Sequence, residues 1–71
     1  MENYIGREFV VELQDADGTC YGTTDPWTDE PIYFEDLDEA RMYAKNQVND
    51  RYTLVRVIEV GSHRVVDFFQ R

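Results

Sequence analysis

Apolar and polar positions alternate from residue 4 to residue 14: Ile5, Phe9, Val11 and Leu13 share one face, while Glu8, Glu12 and Gln14 share the other with Val10. A period of two sustained over this length predicts a strand with one buried and one wet face. The run breaks at Asp15-Ala16-Asp17-Gly18. There Gly supplies a positive φ without steric cost and the Asp carboxylates accept from nearby backbone N–H groups, so the chain is expected to turn into a short second strand over residues 19–23. Residues 24–31, TDPWTDEP, hold two prolines and three acids and show no period; they predict a loop with Trp27 as its one large apolar anchor.

The period then changes. Asp36-Leu37-Asp38-Glu39 has the spacing of a capping box, an oxygen acceptor at the N-cap and a Glu three residues on. Leu37, Ala40, Ala44 and Val48 follow at helical spacing with Met42 and Tyr43 on the flanks. Acids fill the first turn and Arg41 and Lys45 come later, the order that the helix dipole favours, and Asn49-Asp50 ends the element. Residues 52–60, YTLVRVIEV, carry apolar side chains on both faces, as a central strand does. Gly61-Ser62 predicts a tight turn, and residues 64–69, RVVDFF, a last strand that pairs back.

The layout is β-β-α-β-β in a single domain over residues 1–71. A right-handed crossover between antiparallel hairpins gives the strand order 2-1-3-4 with the helix on one face, an α+β fold. The expected core comprises Phe9, Val11, Leu13, Phe34, Leu37, Ala40, Ala44, Val48, Leu54, Ile58 and Phe68. Val10, Val55, Val57, Val65 and Phe69 are then assigned to the uncovered second face, and a patch of that kind suits a partner or a second copy.

Charge changes the picture more than composition does. With 42% hydrophobic residues, five Tyr, four Phe and one Trp, the chain is too apolar for a disordered acidic segment. The net charge of −8 is unevenly laid out: residues 1–40 hold 12 acids against one base, net −11, and residues 41–71 hold three acids against six bases, net +3. Between Glu8 and Ala40 there is no Lys or Arg at all. Such a field repels nucleic acid and anionic membrane and attracts basic protein surfaces. One Cys, Cys20, excludes an internal disulfide framework, and the start Met1-Glu2-Asn3-Tyr4 lacks a basic region followed by an apolar run, so a reducing, cytoplasmic setting is expected.

Candidate chemistry is sparse. Val10 to Thr19 resembles the first motif of the haloacid-dehalogenase phosphotransferases, an apolar strand followed by D-x-D-G-T. That resemblance implies a parallel sheet with a helix after the motif and further phosphate and magnesium residues, whereas here the next strand returns at once, so Asp15 to Thr19 is read as a bend. Cys20 and His63 stand alone in their residue types, which leaves no nucleophile pair and no zinc set. Asp15, Asp17, Asp25, Asp29 and Glu30 lack the twelve-residue loop and terminal bidentate Glu of a calcium hand. No cofactor, metal or catalytic residue is expected. Clustered Lys and Arg for phosphate contacts are missing as well.

The size, the segment YFEDLDEARMYAKNQVNDRYTLVRVIEV over residues 33–60 and the base-free stretch over residues 8–40 together resemble the small acidic proteins of phages and mobile elements, some anti-CRISPR inhibitors among them. The resemblance implies a non-enzymatic, stoichiometric binder that acts by occlusion; the carboxylates displayed without an interspersed cation imitate a phosphate array, as in a DNA mimic, and suit the basic groove of a nucleic-acid-handling protein. The expected contact is Asp25, Trp27, Asp29, Glu30, Tyr33, Glu35, Asp36, Asp38 and Glu39, with the two aromatics as anchors and the acids setting on-rate and salt dependence. The partner is then a protein with a basic surface. The competing expectation is a self-associating accessory module, a homodimer through the uncovered sheet face.

Overall fold

The computed structural model describes residues 8–71. Strand β1 (Phe9–Asp15) and strand β2 (Cys20–Gly22) form a hairpin, helix α1 (Leu37–Gln47) crosses over, and β3 (Tyr52–Glu59) and β4 (Arg64–Gln70) form a second hairpin. All pairings are antiparallel and the order is β2-β1-β3-β4, with α1 packed on one face. This is the α+β arrangement and the strand order that the pattern predicts. Tyr4 and Ile5, the start of the predicted first strand, lie outside the described residues.

The turn chemistry explains the first hairpin. Asp15 Oδ1 accepts from the Asp17 N–H at 2.9 Å and the Thr19 N–H at 3.0 Å, and Gly18 sits at φ 89°, where any side chain is strained. Helix α1 begins where the acceptor is: Asp36 Oδ1 takes the Asp38 N–H at 3.0 Å and Asp36 O takes the Ala40 N–H at 3.1 Å. The cap is one-sided, because among the described residues the Glu39 carboxylate bonds to nothing. The helix stops at Val48, which is already extended; Asn49 Oδ1 then accepts from the Arg51 and Tyr52 N–H groups and turns the chain into β3.

Beneath the helix, Val11, Leu13, Val55 and Val57 from the sheet meet Ala40 and Ala44. The two alanines and the two β3 valines are fully buried, and Phe9, Phe34, Leu37, Tyr43, Val48, Tyr52 and Phe69 close the rim. Alanine at the contact lets the helix backbone approach the sheet, and short β-branched valines fill the space that remains.

The face assignment of β3 and β4 is corrected here. Val11 stands opposite Val57 and Leu13 opposite Val55, so these valines belong to the core and not to the uncovered face; Phe69, opposite Val55, joins them. Alternation then sends Leu54, Ile58 and Phe68, expected in the core, to the open face. Phe68 is 55% exposed there. Val10, opposite Ile58, and Val65 lie on the open face as expected; a register shift between Val57 and Ile58 brings Val65 opposite Ile58, although Val65 shares its parity with Phe69.

Candidate functional site

The two edges of the sheet differ in character. Along the outer edge of β1, β2 is followed by Thr23, whose hydroxyl donates to Val11 O at 3.2 Å, and further along Phe34 exchanges hydrogen bonds with Phe9 at 2.8 and 2.9 Å. Between these two contacts the chain leaves the edge as an excursion closed by a bridge between Thr24 and Pro31, with Ile32 N–H on Thr23 O at 3.0 Å.

Asp25 builds that excursion. Its backbone N–H donates to Glu30 O and its carbonyl accepts from the Asp29 N–H, both at 2.8 Å, while its Oδ1 takes the Trp27 N–H at 2.8 Å. Thr28 Oγ1 accepts from the Glu30 N–H at 3.3 Å, and Asp29 takes up φ 60°, a conformation that Asp tolerates better than most residues. The loop is therefore held by its own backbone and short side chains. Trp27 does not tie it to the core: the indole stands 92% exposed at the tip, which corrects its expected role as the loop's anchor.

Of the nine expected contact residues, Asp25, Trp27, Asp29 and Glu30 sit in this excursion, and Tyr33 and Glu35 flank the Phe34 bridge. Asp36 and the first-turn residues Asp38 and Glu39 follow at the start of α1. The structure divides them by duty. Asp25 and Asp36 spend an oxygen each on local backbone, and Asp38 lies 3.9 Å from Arg41. Among the described residues the carboxylates of Asp29, Glu30, Glu35 and Glu39 bond to nothing, and Tyr33 is 38% exposed. Four free carboxylates and an exposed indole thus lie along 15 consecutive positions, 25–39, that carry no base.

The open face of the sheet is neutral by comparison. Arg56 bonds Glu12 Oε1 at 2.8 Å and also Gln14 Oε1, and Cys20 Sγ lies 3.8 Å from the same guanidinium. Sequence reasoning missed this cross-strand network. Its signal was present, since Glu12, Gln14 and Arg56 are polar residues on paired central strands and Arg56 shares the parity of Leu54 and Ile58.

At the far edge, Arg41 Nε bonds Asp67 Oδ2 at 2.7 Å and ties α1 to β4, and Arg71 pairs with Asp50. An open groove of about 750 Å³ runs between α1 and β4, lined by Arg41, Met42, Lys45 and Phe69 among others. Among the described residues no three His, Cys, Asp or Glu side chains gather as metal ligands, and no helix is long and apolar enough to cross a membrane.

Asp15, the first acid of the D-x-D-G-T stretch, has both oxygens engaged, Oδ1 as above and Oδ2 by the Tyr21 hydroxyl at 3.0 Å. Desolvation raises its pKa, but the hydrogen bonds from Thr19, Tyr21 and Asp17 together outweigh that and hold it below the ordinary 3.8; the same bond and the carboxylate's charge push Tyr21 above 10.0. A lowered folded pKa means stability that is complete above the unfolded value and lost as pH falls through the folded one. The Asp15 contribution is thus present above pH 3.8 and disappears below it, and the raised Tyr21 value means the pair's contribution is lost again only as pH rises beyond 10.0. Urea midpoints for the wild type and Asp15→Asn are expected to differ at neutral pH and to converge in acid; a gap that does not change with pH contradicts this role.

Compared with protein-family models, curated proteins and solved structures, the chain matches none.

Proposed function

We propose that this chain is a non-enzymatic binding module whose acidic excursion and helix start, residues 25–39, dock on a basic surface of a nucleic-acid-handling protein and occlude it as a DNA mimic. The observation that carries the reading is Trp27, a large indole 92% exposed at the tip of a loop fixed by its own hydrogen bonds and bordered by the free carboxylates of Asp29 and Glu30. An aromatic held out in solvent on an ordered loop supplies contact area at low entropic cost, and the surrounding carboxylates steer a cationic partner toward it. The relation to anti-CRISPR-type inhibitors belongs to this proposal, supported by size, fold and charge layout.

The test is capture from a bacterial lysate on the immobilised protein at about 0.1 M and about 0.5 M salt, a span over which the screening length falls roughly twofold. Basic nucleic-acid-handling proteins are expected on the resin at the lower salt, released at the higher salt or by duplex DNA. They are also expected to be absent from a resin carrying Glu30→Lys, Glu35→Lys and Glu39→Lys together, a set that leaves the Asp25 and Asp36 backbone contacts in place. Capture that ignores salt, DNA and the charge reversals contradicts the proposal.

A further inference from the structure

The edge opposite the Trp27 loop has a different organisation. In an antiparallel sheet the residues of an edge strand turn their N–H and C=O groups alternately toward the neighbouring strand and away from it. Arg71 N–H donates to Thr53 O at 3.0 Å, so Arg71 faces β3 and, two by two, so do Phe69 and Asp67; Phe68 and Gln70 face outward. The Phe68 N–H is nonetheless engaged. It donates to Asp67 Oδ1 at 2.8 Å, and the other oxygen of that carboxylate is held by Arg41 Nε at 2.7 Å.

Apolar surface gathers on the same edge. Val65, Val66 and Phe68 are three of the seven large hydrophobic residues that the described structure exposes, and a fourth, Met42, lines the groove beside Phe69. Val65, Val66 and Phe68 lie within one seven-residue strand without proline, the kind of edge that pairs with another strand. Its formal charge is zero, Arg64 against Asp67, in a chain of net charge −8. Two copies can therefore approach here without opposing like charges.

We propose that the outer edge of β4 pairs antiparallel with the β4 edge of a second copy about a two-fold axis at Phe68, and that Asp67, held by Arg41, latches the edge closed in the single chain. The register is self-complementary. Phe68 exchanges both hydrogen bonds with Phe68 of the second copy, and Gln70 comes to lie opposite Val66, at that copy's register shift. The sheet becomes eight strands wide with β2 at each end, which keeps the two acidic excursions roughly 34 Å apart at a strand spacing near 4.8 Å, several screening lengths at physiological salt. The latch sets the strength of the pairing, because each copy must give up the Asp67 bond to the Phe68 N–H before that N–H can serve its partner. The inference uses the edge remote from the Trp27 loop, so its failure leaves the proposed function untouched.

Sedimentation equilibrium from micromolar to millimolar protein, joined to amide hydrogen exchange, tests it. The wild type is expected to dimerise weakly and Asp67→Ala about tenfold more tightly, the gain from losing one competing hydrogen bond in each copy. In both proteins exchange at Phe68 and Gln70 slows as concentration rises. Phe68→Pro, which lacks the central donor at an outward position that tolerates proline, stays monomeric; circular dichroism reports whether it is folded, and Phe68→Asp serves in its place if it is not. Three results overturn the proposal: wild type and Asp67→Ala both monomeric at every concentration, a dimer in which these two amides exchange at the monomer's rate, or slow exchange that is independent of concentration and so reflects cover from within the chain.

Discussion

Val57→Asp is expected to leave the chain unfolded, while Phe68→Asp, eleven positions later on the adjacent strand, is expected to fold. Val57 is fully buried between Val11, Ala40, Ala44 and Val55. An aspartate there faces no cation among the core residues, and leaving a carboxylate buried and unpaired costs about 3–5 kcal/mol beyond the roughly 2 kcal/mol of packing that the valine supplied. At the usual 0.05–0.15 kcal/mol per residue a chain of 71 residues has a total stability of about 4–11 kcal/mol, and a single core of this size rarely supplies more than about 3–5 kcal/mol, so the loss removes most or all of it. Phe68 by contrast points to the open face opposite Arg56, and a carboxylate there stays in water beside a guanidinium. Far-UV circular dichroism and urea titration of the two variants decide the matter. A folded Val57→Asp with a midpoint near the wild type would contradict the face assignment on which the whole core rests.

The second large effect is on binding alone. Trp27→Ala removes a side chain that touches little of its own protein, so the urea midpoint is expected to change by no more than about 0.5 kcal/mol of stability. The loop keeps its shape because the bonds that hold it come from the Asp25, Trp27, Asp29 and Glu30 backbone and from the Asp25 and Thr28 side chains. Affinity for the captured basic partner is expected to fall at least about 30-fold, the 2 kcal/mol or more that marks a central aromatic anchor. Titration calorimetry with the purified partner measures it. An unchanged affinity would place the contact elsewhere on the chain.

The elements were legible in the sequence where one signal sufficed. Alternation from Phe9 to Leu13, the Asp15 to Gly18 turn, the Asp36 cap and the helical stripe through Ala40 and Ala44 each specify an element by local chemistry, and the strand order follows from connection rules. The face of β3 was harder, because Leu54 and Ile58 on one parity and Val55 and Val57 on the other are equally apolar. What decides between them is tertiary: the Val11–Val57 and Leu13–Val55 register, the close approach allowed by two helix alanines, and an Arg56 that needs Glu12 and Gln14 beside it.

In β4 an inward Asp67 and a register shift beside it break the alternation that would have placed Val65 with Phe69. The acidic stretch was visible as charge. The sequence did not separate carboxylates that fix the backbone, those of Asp25 and Asp36, from those left free, because that depends on where the loop turns.

Trp27 is the chain's one tryptophan, so its emission reports the proposed contact directly. The measurement is its fluorescence as the captured basic protein is added, followed by duplex DNA. The account predicts a blue shift as the indole leaves water in the complex, reversed when DNA reclaims the partner's basic surface. A complex that forms while the emission stays that of the free protein, or that duplex DNA leaves intact, would contradict it.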